Sequence, residues 1–208
     1  VVILLQPTLP IGEFAPTQRP PGAGGSVGGG PGTVEAPGAA GCAQTPPMPF
    51  TPAWQNIEIV RETLRCPAGA TQGFDGVYQP FERGIMFWRQ SDRNIFIISL
   101  SSIRQGQATD TWWRITDTWQ EGESESDASL VPPDGLSQPV RGFGKAWRNN
   151  GFVREALGWA NGPEQFYTSQ WLIFEGGWMM VAPDGATVYA LGADPGVSTG
   201  SHFGNFPR

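Results

Sequence analysis

Lysine is nearly missing from this chain of 208 residues: Lys145 is the only one. The other basic residues are arginines spread along the chain, and the formal net charge is −6. Without a basic face there is nothing to displace counterions from a polyanion, which argues against nucleic acid and anionic membrane as partners. Histidine is as scarce. His202 is the only one, lying near the C-terminus among Ser201, Phe203 and Gly204. With no nucleophile elbow beside it, a Ser-His-Asp or Cys-His arrangement has no support, and a Cys/His zinc site lacks ligands. His202 reads as a solvated tail residue. Charge is also missing from the first fifty residues, which hold only Glu13, Arg19 and Glu35 but ten prolines and ten glycines. Such a segment cannot bury enough apolar surface to offset backbone ordering, so no independent domain is expected there.

Tryptophan marks where a core can form. All nine lie beyond residue 53, which confines the globular part to about 150 residues. Ahead of it, residues 1–14 read as an apolar extended arm or the remnant of an anchor, and 15–49 as a Pro/Gly-rich linker. The arm opens on Val1, Val2, Ile3, Leu4 and Leu5, too few apolar residues to span a bilayer; they read either as a short β-branched strand or as the end of a longer hydrophobic signal or anchor. The glycines of "GAGGSVGGGPG" match no nucleotide-binding fingerprint, because no strand leads in and no helix leads out. Cys42 and Cys66 bracket a Pro-rich joint. In an exported protein they are most simply a disulfide, the alternative being two reduced thiols.

Beyond residue 49 the sequence repeats itself at an offset of ninety-three. Phe50 falls on Phe143, Trp54 on Trp147, Val60-Arg61-Glu62 on Val153-Arg154-Glu155, Phe81-Glu82 on Phe174-Glu175 and Gly84 on Gly177. Each copy opens on a helical stretch with apolar residues three to four apart, for which Thr51 and Pro52 give a start in the first copy. A polar loop and a β-hairpin follow, "YQPFERGIMFW" with "IFIISL" and "WLIFEGGWMMV" with "TVYAL". The pattern predicts a strand-rich α+β fold of two tandem helix/loop/β-hairpin repeats, residues 50–119 and 141–208, joined by an acidic connector at 120–140. "TDTWWRITDTW" reads as a third strand of the first copy, and the corresponding "GADPGVSTGSHFGNFPR" of the second as a tail.

The run from 157 to 191, "LGWANGPEQFYTSQWLIFEGGWMMVAPDGATVYAL", resembles the LGFP repeat of bacterial cell-wall-associated proteins, and residues 64–98 look like a more divergent copy. Neither keeps the whole tetrapeptide, one reading "LRCP" and the other "LGWA". The resemblance implies a secreted, envelope-associated, non-catalytic module attached to wall polymer, and it supplies no catalytic residues.

Glu82 and Glu175 invite comparison with the carboxylate pair of glycoside hydrolases. In matched positions of two repeats, however, each is expected to have its own local structural role, as are Trp54, Trp147, Gly84 and Gly177. Glu121, Glu123, Glu125 and Asp127 alternate along the connector, but without EF-hand spacing they read as a solvated loop rather than a calcium site. Most tryptophans must pack; Trp112, Trp113 and Trp119 are the candidates for aromatics that face a glycan. No metal, no small-molecule cofactor and no catalysis are expected. Two functions follow. The first is an extracellular structural subunit whose arm adds a strand to the open sheet edge of another copy, building a homopolymeric filament or layer. The second is a surface module, tethered by its N-terminus, that binds cell-wall polysaccharide or another glycan.

Overall fold

The computed structural model describes residues 41–104, 107, 109–193 and 197–208. The arm at Val1–Leu5 and most of the linker lie outside them. In chain order the elements are α1 (Thr51–Asn56), α2 (Glu58–Leu64), β1 (Gln72–Phe81), β2 (Gly84–Arg89), β3 (Asn94–Ser99), α3 (Ser101–Arg104), β4 (Asp110–Thr116), α4 (Arg141–Asn149), α5 (Gly151–Leu157), β5 (Gln165–Phe174), β6 (Gly177–Val181), β7 (Thr187–Gly192) and β8 (Thr199–Pro207).

The eight strands close into one antiparallel barrel, ordered β1-β2-β3-β4-β8-β7-β6-β5. This corrects the expectation of a tandem α+β arrangement. The two hairpins do not stand as separate units with free edges, because two seams join them. At one seam the first seven residues of β1 pair with β5, from Gln72 opposite Trp171 to Tyr78 opposite Gln165. At the other, β8 runs between β4 and β7. The joining segments are those read as a polar loop ("TQGFDGVY") and a tail ("STGSHFGNF"). Glycine lowers intrinsic β-propensity, so nothing local marks them as strands. Gly200 shows what it is for instead: a Cβ there would sit 1.9 Å from the Gly192 carbonyl oxygen and 2.8 Å from Trp112 Nε1.

Alternation along the strands sorts the side chains. Phe74, Ile85, Phe87, Phe96, Ile98, Trp112, Met180, Tyr189 and Leu191 form one buried cluster in the barrel. Their neighbours in sequence point outward and meet the helices. Each helix pair covers the opposite half: α1 and α2 lie on β6, β7 and β8, whereas α4 and α5 lie on β2 and β3. Phe50, Trp54, Val60 and Leu64 thus pack with Leu172, Met179 and Val188, and Phe143, Trp147, Val153 and Leu157 with Met86, Ile95 and Ile97. Fully burying a side chain such as Phe50 or Leu157 contributes about 1.5–3 kcal/mol, so each half depends on the other for much of its core.

The turns interlock the same way. Arg83 N–H donates to the Leu157 carbonyl and Gly176 N–H to that of Leu64, both at 3.0 Å; Glu82 N–H reaches Trp159 O and Glu175 N–H reaches Cys66 O, again both at 3.0 Å. Glycine is required where these turns enter a strand: a Cβ on Gly84 would lie 2.2 Å from Ile98 O, and one on Gly177, at φ +148, 2.0 Å from Leu191 O. Cys42 and Cys66 form a disulfide, tying the segment before α1 to the loop after α2. A crosslink spanning 24 residues contributes about 3 kcal/mol in the chain-entropy account.

One further expectation changes. His202 is not solvated but fully buried, paired in register with Asp110, its Nδ1 3.3 Å from the Ser99 carbonyl oxygen and its ring edge-on to Tyr189. Burial lowers its pKa to about 4, so the imidazole is neutral. The acidic connector is exposed, but α4 holds it. Lys145 Nζ bonds Glu123 at 2.7 Å, Arg141 Nε lies 3.4 Å from Glu125, and Arg148 donates to the Ser124 and Glu125 carbonyls. The single lysine and two arginines therefore share the face of α4 turned toward the connector.

Candidate functional site

The nominated carboxylates do not converge. Glu82 follows β1 and Glu175 follows β5, and because these strands run antiparallel through a register centred on Asp75 and Thr168, the two residues sit at opposite ends of the seam. Glu82 accepts the Trp159 backbone N–H at 2.8 Å, and Glu175 lies 3.9 Å from Arg65. Both secure turns.

Of the three aromatics singled out, Trp112 corrects the reading. It is fully buried in the barrel, its indole donating to Gly192 O at 2.9 Å and its ring edge-on to Trp178. Trp113, its neighbour, points outward by strand parity and packs half-buried against Phe152. Trp119 alone of the three lines a cleft.

That cleft grows out of strand register. Phe166, Val77, Trp88 and Ile95 are successive cross-strand partners on β5, β1, β2 and β3, so they form one row across the outside of the barrel. Ile95 is buried beneath α4, beside Phe143. Moving outward, Trp88 is half-buried, and Phe166, beyond the reach of either helix pair, is 91% exposed. The stripe that seats α4 and α5 thus continues as an aromatic ridge over the uncovered β1–β5 seam.

On one side of the ridge lies a cavity of about 380 Å³, walled by Trp119, Phe143 and the polar groups of Asp117, Arg141, Glu164 and Gln165. Asp117 lies against the first turn of α4, where a Cβ on Gly142 would come within 2.7 Å of its Oδ1. Its Oδ1 accepts the Trp119 backbone N–H at 3.0 Å, and its Oδ2 is 3.9 Å from Arg93. Arg141, held at φ 49, reaches between Glu125 and Glu164, at 3.7 Å from the latter. Burial raises the pKa of Glu164, opposed by the charge of Arg141. The indole nitrogens of Trp88 and Trp119 are both sealed from solvent and have no hydrogen-bond partner.

Sequence reasoning missed Phe166, Trp88, Glu164 and Arg141. Phe166 sat in a stretch read as a polar loop, and Trp88 among hairpin aromatics read as core. The row becomes visible only once β1 is paired with β5. The sites nominated for assembly, Val1 to Leu5, lie outside the described residues; among the described residues each strand of the barrel has a neighbour on both sides.

The arrangement offers aromatic faces beside a carboxylate, an amide and a guanidinium–carboxylate pair. Among the described residues there is no cluster of three or more His, Cys, Asp or Glu able to hold a metal ion, and no helix is long and apolar enough to cross a membrane. Compared with models of protein families, with curated proteins and with solved structures, the chain matches none.

Proposed function

We propose that this chain is a non-catalytic, extracellular or cell-surface module that binds a glycan at the Trp88–Phe166 ridge. The observation that carries the reading is Phe166, a large apolar ring left 91% exposed across Val77 from Trp88, in a cleft rimmed by Asp117, Glu164, Gln165 and Arg141. Sugars present flat C–H faces ringed by hydroxyls. They are met by aromatic rings with carboxylate, amide and guanidinium groups around them, the combination this cleft contains. The disulfide suits an oxidising compartment. The resemblance of residues 64–98 and 157–191 to LGFP repeats points to the same setting, with wall polysaccharide as the natural candidate.

Probing an immobilised glycan array with the chain and with Phe166→Ala tests this. The expected result is binding to a subset of glycans that falls about tenfold or more in the variant, as for loss of one stacked ring at the centre of a site. An array without signal, or a signal indifferent to Phe166→Ala, sinks the proposal.

A further inference from the structure

The ridge has a second flank. Two residues along the strands from Phe166 and Val77, on the same outer face, stand Thr168 and Asp75, directly paired, with Thr168 Oγ1 donating to Asp75 Oδ1 at 2.9 Å. Gln90 completes this row, its N–H donating to the Asp75 carbonyl at 3.0 Å. A cavity of about 570 Å³ opens over these residues, and it shares Trp88 and Phe166 with the cavity on the other side. The ridge therefore divides one groove into two lobes. From Glu164 at one end to Thr168 at the other is four residues of extended chain, about 13 Å, longer than a single sugar ring.

From this we infer that the groove takes an internal stretch of a neutral oligosaccharide chain, laid across the aromatic ridge with sugar units in both lobes, rather than a single terminal sugar. This rests on the glycan-binding reading above. Three features support a chain. The groove continues on both sides of the ridge over the β1–β5 seam, where Phe166 stands 91% exposed. Hydrogen-bonding side chains flank the rings on both sides: Asp117, Glu164 and Gln165 in one lobe, Asp75, Gln90 and Thr168 in the other. The lining is also anionic. Asp75, Asp117 and Glu164 share the lining with one guanidinium, Arg141, which Glu125 and Glu164 already engage, and outside the lining Arg93 lies 3.9 Å from Asp117. A chain of uronic acids would be repelled, whereas hydroxyls can donate to these carboxylates.

Calorimetric titration of the intact chain with chito-, cello- and manno-oligosaccharides of one to six units, and with oligogalacturonate of matched length, tests the inference. In the series that binds, affinity should rise by about tenfold or more from the disaccharide to the length that fills both lobes, then level off. Gln90→Ala and Thr168→Ala, both exposed positions, should weaken the longer oligomers by about fivefold and leave the disaccharide unchanged, as expected for losing one hydrogen bond in one lobe. Phe166→Ala should weaken every length. Affinity independent of length, with the Gln90 and Thr168 variants silent, overturns the chain inference while leaving a one-lobe site. Oligogalacturonate binding as tightly as the neutral chains overturns the charge argument and with it the inference. Absence of binding to any saccharide removes the parent reading as well.

Discussion

Trp54 and Trp147 each send an indole N–H to a carbonyl eleven residues ahead, that of Arg65 in the first half and Gly158 in the second, both at 2.7 Å. Around these two bonds the halves agree closely: α2 and α5, β1 and β5, and β3 and β7 have bounds that differ by ninety-three throughout. At the cleft the agreement ends. Adding or subtracting ninety-three places Val181 opposite Trp88, Gly73 opposite Phe166, Met48 opposite Arg141 and Thr71 opposite Glu164. Where a side chain fills the interlocked core, the halves hold the same residue or one of like character. Where it faces the groove, each of these rings and charges stands at a position whose counterpart in the other half carries neither. Packing alone therefore does not demand Trp88, Phe166, Arg141 or Glu164, because the other half folds in the same way without them.

The largest test of this comparison is to cut it. If each half's helices cover the other half's strands, residues 41–119 and 120–208 expressed separately should each lack a cooperative unfolding transition, while the whole chain unfolds in one. Circular dichroism melts of the three chains check this. A half that melts cooperatively as a monomer would show that the crossed packing is dispensable.

The crossing also explains how much was legible beforehand. The hairpins were, because "GIMFWR" and "NIFIIS" are unbroken aromatic and β-branched runs, buried on both faces and separated by a polar turn. The helices were, because Trp54, Val60 and Leu64 recur at helical spacing. The seams were not. Gly73 and Gly76 in β1, and Gly200 in β8, dilute the pattern where strands of different halves meet, and long-range pairing leaves no local trace. Losing the seams meant losing the barrel, and with it the site, since Phe166 and Trp88 become neighbours only through Val77. Trp112 failed for a related reason. Adjacent tryptophans on a strand must face opposite ways, but only the closed register says which one faces in.

At the second seam the comparison predicts a pH effect. His202, on β8 opposite Asp110, has no histidine counterpart, since position 109 is Thr109. Its folded pKa of about 4 lies below the ordinary 6.5, so the unfolded chain takes up a proton that the folded chain refuses. Stability from this group is complete above pH 6.5 and is lost as pH falls toward 4, by about 3 kcal/mol in all. Urea melts at pH 7 and 4.5 should show that extra loss in the native chain and not in His202→Gln. Because the chain has one histidine, its imidazole NMR signals report directly, and a midpoint near 6.5 in the folded protein would refute the assignment.

A smaller effect sits where the helix pairs end. Arg65 holds φ 59 and ψ −134, a region that only glycine enters freely; its counterpart Gly158 holds φ 73 and ψ −149. Arg65→Gly should therefore stabilise the protein by about 1 kcal/mol, the relief of strain exceeding the loss of an exposed hydrogen bond to the Glu175 carbonyl. Gly158→Ala should do the reverse by a larger margin, about 2 kcal/mol, since its Cβ would meet Glu82 Oε2 at 2.3 Å as well as the strained backbone. Chemical denaturation of the two variants gives both signs, and two changes of the same sign would break the equivalence of the caps.

The smallest stability effect is the one that separates groove from core. Phe166→Ala removes a ring that is 91% exposed, and its counterpart Gly73 has no side chain at all, so the variant should unfold within about 0.5 kcal/mol of the parent. Trp147→Ala, by contrast, empties a fully buried site and should cost about 3–5 kcal/mol. Denaturant midpoints of the pair decide the matter. A large loss at Phe166 would make the ridge part of the folding core and explain its asymmetry by packing. A negligible loss, together with weakened glycan binding, would leave recognition as the reason that one half alone keeps an aromatic ring in water.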